Sequence, residues 1–276
     1  MGTWELMPSG FDPDFDDTTW TDDWLTVPIA LPPPARHPSG YRLERRLLRD
    51  VEVFGRAYRL PASFDCRILL DPTGRLWMSN TPQEHIMMYN NARRTRGRVL
   101  VGGLGLGLYP QYAEAIGAAR RFVVVEQSAV VADLVAPTVR AALSAPVDLV
   151  LGDVEAALAE EPANTYDTVF LDTWATLDAA SLPAVNRLRD LAARHLATGG
   201  RVLLWGYGWM VRLFEDACRD LLALPPGQRE ALVADRDQVS AEGAALLAPV
   251  LARFEGQAVA DWGEALGWCR RYALSV

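Results

Sequence analysis

Residues 98–115 read "RVLVGGLGLGLYPQYAEA". A short valine- and leucine-rich run ends in Gly103, Gly105 and Gly107, and a helical pattern starts directly behind them. Glycine at alternate positions leaves the main chain bare and free to take left-handed conformations. Two readings are open: a tight turn that happens to be glycine-rich, or a strand-to-helix loop that lets a ligand lie against the backbone.

The sequence downstream has one texture. Further short apolar runs, "RFVVVEQ", "VDLVLGD", "YDTVFLDTW" and "RVLLWGYG", alternate with "YPQYAEAIGAA", "SAVVADLVAPTVRAAL", "VEAALAEE" and "SLPAVNRLRDLAARHL", each with helical spacing. Runs without polar alternation suit strands covered on both faces, and strand–helix alternation suits a parallel sheet. The expected fold is therefore α/β, a doubly wound, mostly parallel sheet. "ATGG" after Leu196 reads as a glycine-type helix stop. Beyond Gly208 the pattern is helical with no evident strand pair, and Asp235–Asp237 reads as a solvated helix face.

Upstream, residues 41–80 read as short strands: "YRLERRLL", "VEVFGRAYRL" and "FDCRILLD", with "DPTG" turning into "RLWMS" to close a hairpin over 65–79. "TPQEHIMMYNNARRT" follows as a helix, with Thr81 as N-cap and Pro82 in its first position. "VPIALPPPARHPSG" is an extended linker. The first 26 residues are acidic yet carry Trp4, Trp20 and Trp24, so part of this leader is expected to dock on the body or on a partner subunit. Four regions result: a leader and linker over 1–40, a strand region over 41–80, an α/β domain over 81–208 and a helical extension over 209–276.

With 276 residues, 50% of them hydrophobic and 22% charged, the chain has an ordinary globular composition. Its net charge of −8 argues against a general nucleic-acid binder. All 27 basic residues are arginine. Cys66, Cys218 and Cys269 are too scattered for a disulfide framework or zinc site and read as buried spectators. The opening residues do not form a signal peptide, and no apolar run approaches a membrane span. A cytoplasmic protein with no membrane partner is expected.

In a parallel α/β sheet, ligands bind outside the carboxyl ends of the strands. Three acids stand there. Glu126 ends the second strand about 20 residues past Gly105, where a carboxylate accepts from both hydroxyls of a ribose. Asp153 ends the third strand and Asp172 the fourth. The glycine spacing is G-x-G-x-G rather than the G-x-G-x-x-G of dinucleotide-binding loops, which argues against a dehydrogenase.

Residues 65–208 resemble the class I S-adenosylmethionine (SAM)-dependent methyltransferase fold, a Rossmann-like architecture, and particularly its spermidine synthase-like branch. The order of "LLDPTGRLWMSNTPQEH", a helix, the glycine loop, "VVVEQS", "LGDVEAAL" and "YDTVFLDTW" carries the likeness. The resemblance implies SAM as cofactor and S-adenosylhomocysteine as product. It implies that Gly103, Gly105, Gly107, Glu126, Gln127, Asp153, Val154, Asp172 and Gln83 contact the cofactor, with Asp153 accepting from the adenine amine. Two departures bear on the reaction. The branch's glycine loop usually carries an aspartate, where this chain has "GGLGLG". Its fourth strand usually ends in two acids, where this chain has Asp172-Thr173-Trp174-Ala175. A polycationic amine would be poorly paired without those acids, so methyl transfer to a small molecule or peptide-like natural product is the first expectation.

Asp172 is the first candidate to orient or deprotonate an acceptor, and His85 a second candidate base. Trp174, Tyr207 and Tyr89 are candidates to line the acceptor pocket. His37 and His195 read as structural. The helical tail would roof the pocket or form a homodimer surface. Two alternatives stay open: an aminopropyltransferase using decarboxylated SAM, and a non-catalytic SAM-binding scaffold.

Overall fold

The structure, a computed structural model, describes residues 7–276. Two compact units are present: one formed by Pro8–Thr173 with Arg189–Gly206, the other by Trp174–Leu188 with Tyr207–Val276.

The first unit opens with an antiparallel sheet of β1 (Ala35–Arg36), β2 (Arg42–Val53), β3 (Arg56–Leu70) and β4 (Leu76–Ser79), in that order. Residues 51–60, expected as one strand, are split by a two-residue hairpin turn. Phe54 and Gly55 take φ of 50° and 73°, the pair of positive φ values that a tight hairpin favours, and Val53 pairs with Arg56 across it. The expected hairpin over 65–79 joins β3 to β4, its turn tied by Asp71 Oδ1, which accepts from the amides of Thr73 and Arg75. α1 (Pro82–Ala92) follows; Thr81 precedes it in extended conformation, but its hydroxyl makes no capping bond.

The second sheet has five parallel strands: β5 (Arg96–Gly102), β6 (Ala118–Glu126), β7 (Val147–Leu151), β8 (Tyr166–Leu171) and β9 (Leu196–Leu204). Their spatial order is β7-β6-β5-β8-β9. The chain runs outward from β5 through α2 (Leu108–Ala115) and α3 (Ala129–Ala142) to β7. It then returns through α4 (Val154–Glu160) to β8 and crosses by α5 (Leu182–Ala193) to β9. Right-handed crossovers in the two directions put their connections on opposite faces. The strand order reverses between β5 and β8, and a crevice forms at the carboxyl ends of such a pair. Val99, Leu100 and Val101 of β5 and Val169, Phe170 and Leu171 of β8 are all buried, as strands covered on both faces must be.

The "ATGG" stretch is not a helix stop. α5 ends at Ala193, and Gly199, at φ 73°, lies inside β9. There the register jumps from Tyr166↔Leu196 to Thr168↔Arg201, so the glycines form a bulge.

The leader packs into the first unit from Pro8 onward. The carbonyl of Gly10 accepts from Val202 N of β9 at 3.1 Å. Asp12 pairs with Arg94, whose guanidinium lies 4.3 Å from the Phe15 ring centroid. Asn90 donates to the carbonyls of Asp17 and Thr19. Trp20 stacks on Tyr58, and Trp24 is buried against His85. Trp4 lies outside the described residues.

The second unit contains α6 (Tyr207–Ala223), α7 (Pro226–Ala234), α8 (Ala241–Arg253) and α9 (Trp262–Ser275). Among the described residues no strand follows β9. Asp235–Asp237 is not a helix face but the turn between α7 and α8, where the Asp235 carboxylate accepts from the Asp237 amide. Buried Arg229 gathers the carbonyls of Leu222, Leu224, Phe254 and Gln257, satisfying acceptors left free at helix ends. Cys218 and Cys269 are buried, on α6 and α9, and Cys66 is buried on β3. No helix among the described residues is long and apolar enough to cross a membrane.

Candidate functional site

The three glycines of the 103–107 loop take φ of 89°, 53° and 79°, a region that L side chains enter at a cost. Their surroundings differ. A Cβ on Gly103 would stand 2.2 Å from the carbonyl oxygen of Asp172, and one on Gly107 would stand 2.2 Å from Val139 Cγ2. Those two glycines let the loop pack against the end of β8 and against α3. A Cβ on Gly105 would meet nothing within 4 Å. At that point the bare peptide faces open space, on the carboxyl side of the central strand. Leu104 and Leu106 are buried, so their side chains anchor the loop and the glycines present its backbone.

Glu126, at the end of β6, is buried and holds this loop in place. Its Oε2 accepts from Leu104 N at 2.8 Å and its Oε1 from Ser128 N at 2.7 Å. Each carboxylate oxygen has two acceptor directions, so a ribose diol can still be received. Asp153 is exposed and caps α4 through the Ala156 amide; Val154 is buried, its Cγ2 2.9 Å from where a Gly102 Cβ would stand. Gln127 is exposed at the strand end.

Asp172 follows β8, with its backbone tied to Gly102 O. It is partly exposed and lies in a negative neighbourhood. Burial, then the charges of Glu126 and Asp17, push its carboxyl up to about 7. Glu84, in the first turn of α1, is pushed up to about 8 by burial and by Asp172, against the opposing pull of the Trp205 indole N–H, which donates to its Oε2 at 3.1 Å. Asp17 of the leader is pushed up to about 7, chiefly by burial. It accepts from Asn91 Nδ2 at 2.9 Å and from Gly206 N at 2.8 Å. Like charges in a covered site cannot all ionise. The cluster therefore holds protons near neutral pH and has both acid and base forms available. Among the described residues, no group of three or more histidine, cysteine or acidic side chains could hold a metal ion.

Other expectations are placed differently. His85 is not free to act as a base. It is buried with both ring nitrogens engaged, Nδ1 with Tyr112 OH at 2.6 Å and Nε2 with Asn80 Nδ2 at 3.1 Å. Burial pulls its pKa down to about 3, so the ring stays neutral. Gln83 is engaged by the hairpin turn, its Oε1 accepting from Phe54 N at 2.9 Å. Tyr89 is buried edge-on against Tyr112. Trp174 and Tyr207 belong to the second unit, where the Tyr207 hydroxyl donates to Asn186 Oδ1 at 2.6 Å. His37 faces Asp133, and His195 faces the Pro162 carbonyl.

Asp17, Glu84, Trp205 and Asn91 join the candidate site through contacts that the sequence did not disclose. Glu84 had one signal, being the single acid of its helix and standing in the first turn. Asp17 had none, being one acid among many in "FDPDFDDTTW".

No family model and no curated protein matches the chain. Among solved structures, it is similar to a precorrin 8w decarboxylase of Methanobacterium thermoautotrophicum at 19% identity, covering 45% of this chain and 62% of that one, with a TM-score of 0.35. It is also similar to the Trypanosoma brucei PRMT1 enzyme–prozyme complex with AdoHcy at 20% identity, covering 44% of this chain and 38% of that one, with a TM-score of 0.32. The match thus spans less than two thirds of either protein.

Proposed function

We propose that the chain is a SAM-dependent methyltransferase acting on a small molecule or peptide-like natural product. The observation that carries this reading is the juxtaposition at the carboxyl ends of β5, β6 and β8. An open left-handed glycine at 105, a loop pinned by the Glu126 carboxylate, and the Asp172 carboxylate stand there together. When bound, SAM supplies an electrophilic methyl whose transfer breaks the C–S bond and leaves a neutral thioether. In this reading the backbone around Gly105 receives the ligand's chain, and Glu126 receives the ribose hydroxyls through its remaining lone pairs. Asp172 orients the acceptor and, with Glu84 beside it, takes the proton that the acceptor gives up.

The deciding measurement is calorimetry of the full chain with S-adenosylhomocysteine. Binding is expected, and Asp172→Asn should keep affinity within a few-fold while methyl transfer is lost. Absence of heat at millimolar ligand would overturn the reading. One observation favours a second reading, aminopropyl transfer from decarboxylated SAM. The sequence argument against it rested on missing acids, and Glu84 now stands within electrostatic reach of Asp172. Tighter binding of the decarboxylated ligand than of SAM would select that alternative.

A further inference from the structure

Asp17 Oδ1 and Asn91 Oδ1, both buried in the first unit, lack partners. Asp17 is 1% exposed and Asn91 0%, so bulk solvent reaches neither, and such orphans are costly. The two side chains already face each other, because Asn91 Nδ2 donates to Asp17 Oδ2 at 2.9 Å. The amide's other hydrogen goes to the Met87 carbonyl at 3.0 Å. Two acceptors therefore fix which end of the Asn91 amide is nitrogen, and a flip would set oxygen against both. When the amide hydrogen on the side of the amide oxygen makes this bond, the second carboxyl oxygen lies toward the amide's own. Two bare acceptors there repel, whereas a single proton between them closes a second bond.

We infer that Asp17 is held as a neutral carboxylic acid in a two-bond pair with Asn91, and that this pair is a positioning device for the acids of the site. Asp17 Oδ2 also accepts from Gly206 N at 2.8 Å. The preceding residue, Trp205, donates its backbone N–H to Leu171 O and its indole N–H to Glu84 Oε2. Asp17 thereby fixes the peptide whose side chain holds Glu84 near Asp172. Only the functional meaning of this chain of contacts rests on the reading of Asp172 as the acceptor-side group; the protonated pair does not.

Asp16 on the leader, Glu84 on α1, Glu126 at the end of β6 and Asp172 after β8 are the charges that bear on the cluster. The rise of Asp17 to about 7 agrees with a retained proton. Because the neighbours titrate too, the test compares variants. Asp17→Asn reproduces the neutral acid: its carbonyl accepts from Asn91 and Gly206, and its amide donates to Asn91 Oδ1. Asp17→Ala removes every bond. A group whose pKa is raised by folding contributes stability that is lost as pH climbs through the raised value. In thermal unfolding of the full chain at about pH 5 and about pH 8.5, wild type should lose more stability with rising pH than Asp17→Asn. That variant should melt at or above wild type at the higher pH, and Asp17→Ala below it at both. The infrared spectrum of wild type minus that of Asp17→Asn should show the C=O stretch of a buried carboxylic acid, the bands of Glu84 and Asp172 being common to both proteins. Equal damage from the two substitutions, or no such band in that difference, would overturn the pair, and the infrared arm decides even if Asp17→Ala fails to fold. No cofactor enters these readouts, so failure to bind S-adenosylhomocysteine would refute the methyltransferase alone.

Discussion

Three alanine substitutions in one loop separate packing from ligand contact. At Gly103 the new methyl would stand 2.2 Å from the Asp172 carbonyl, a backbone atom fixed in the sheet by Asp172 N donating to Gly102 O. The ends of β5 and β8 must part to admit it. Overpacking of this kind costs about 1–3 kcal/mol and the left-handed backbone about 1–2 kcal/mol more. Gly107→Ala meets the Val139 methyl, also at 2.2 Å, and belongs to the same class, eased by the mobility of a side chain. Gly105→Ala meets nothing within 4 Å, so only the backbone cost of about 1–2 kcal/mol applies. At about 2–4 °C per kcal/mol for a protein of this size, Gly105→Ala should melt a few degrees below wild type and Gly103→Ala markedly lower. Affinity for S-adenosylhomocysteine should follow a different pattern. The Gly105→Ala methyl projects into the space assigned to the ligand, and loss of about tenfold, near 1.4 kcal/mol, is expected in a folded protein. Scanning calorimetry gives the first quantity and titration calorimetry the second. If Gly105→Ala binds as wild type does, the loop is a plain turn and the assignment of its open face is wrong.

Asp17, Glu84 and Asp172 all sit above their ordinary values, at about 7, 8 and 7. The folded state therefore keeps protons that the unfolded chain releases, and stability should fall, not rise, between about pH 5 and about pH 8. Urea midpoints across that window check this, and Glu84→Gln should flatten the slope; a midpoint that climbs through the window would contradict the assignment. His85→Phe preserves an aromatic ring against Trp24 but strands the Tyr112 hydroxyl and leaves the Asn80 Nδ2 only its 3.4 Å bond to the Asp65 carbonyl. It should cost about 1–3 kcal/mol per group left unsatisfied, with ligand affinity of the folded protein unchanged. A specific loss of affinity at full stability would return His85 to the site.

Periodicity revealed the central sheet because β5 and β8 are apolar on both faces, a pattern that solvent-facing strands do not produce. The glycine loop was legible for the same physical reason: a positive φ at three positions restricts the residue type, and the restriction shows in the sequence. The hairpin at Phe54–Gly55 was hidden because one of its two left-handed positions is filled by phenylalanine. Gly199 and Gly200 misled in the opposite direction, since a bulge and a helix terminus both select glycine. Glu126 and Asp172 were visible from their places at strand ends. Glu84 and Asp17 were not, because burial and the field of neighbouring carboxylates arise only when distant segments meet. His85 was over-read: a histidine near a glycine loop suggests chemistry, whereas two nitrogens already bonded in an aromatic cage leave none to offer.

The leader gains its order from the sheet edge that it covers. β9 ends the strand order β7-β6-β5-β8-β9, and an edge strand exposes unpaired N–H and C=O groups. Gly10 answers one of them by accepting from Val202 N. A side chain is not tolerated there, since a Cβ would stand 2.4 Å from Gly200 O and 2.8 Å from Leu196 Cδ1, at φ 87°. Seven residues on, the same segment delivers Asp17 to Gly206, just past the carboxyl end of β9. The contact that covers the edge and the contact that orders the acid site thus belong to one stretch of backbone, anchored between them by Asp12 on Arg94. Weakening the edge contact should therefore loosen Asp17, and through Trp205 it should loosen Glu84. An acidic leader that composition alone would assign to disorder is in this way part of the site's framework.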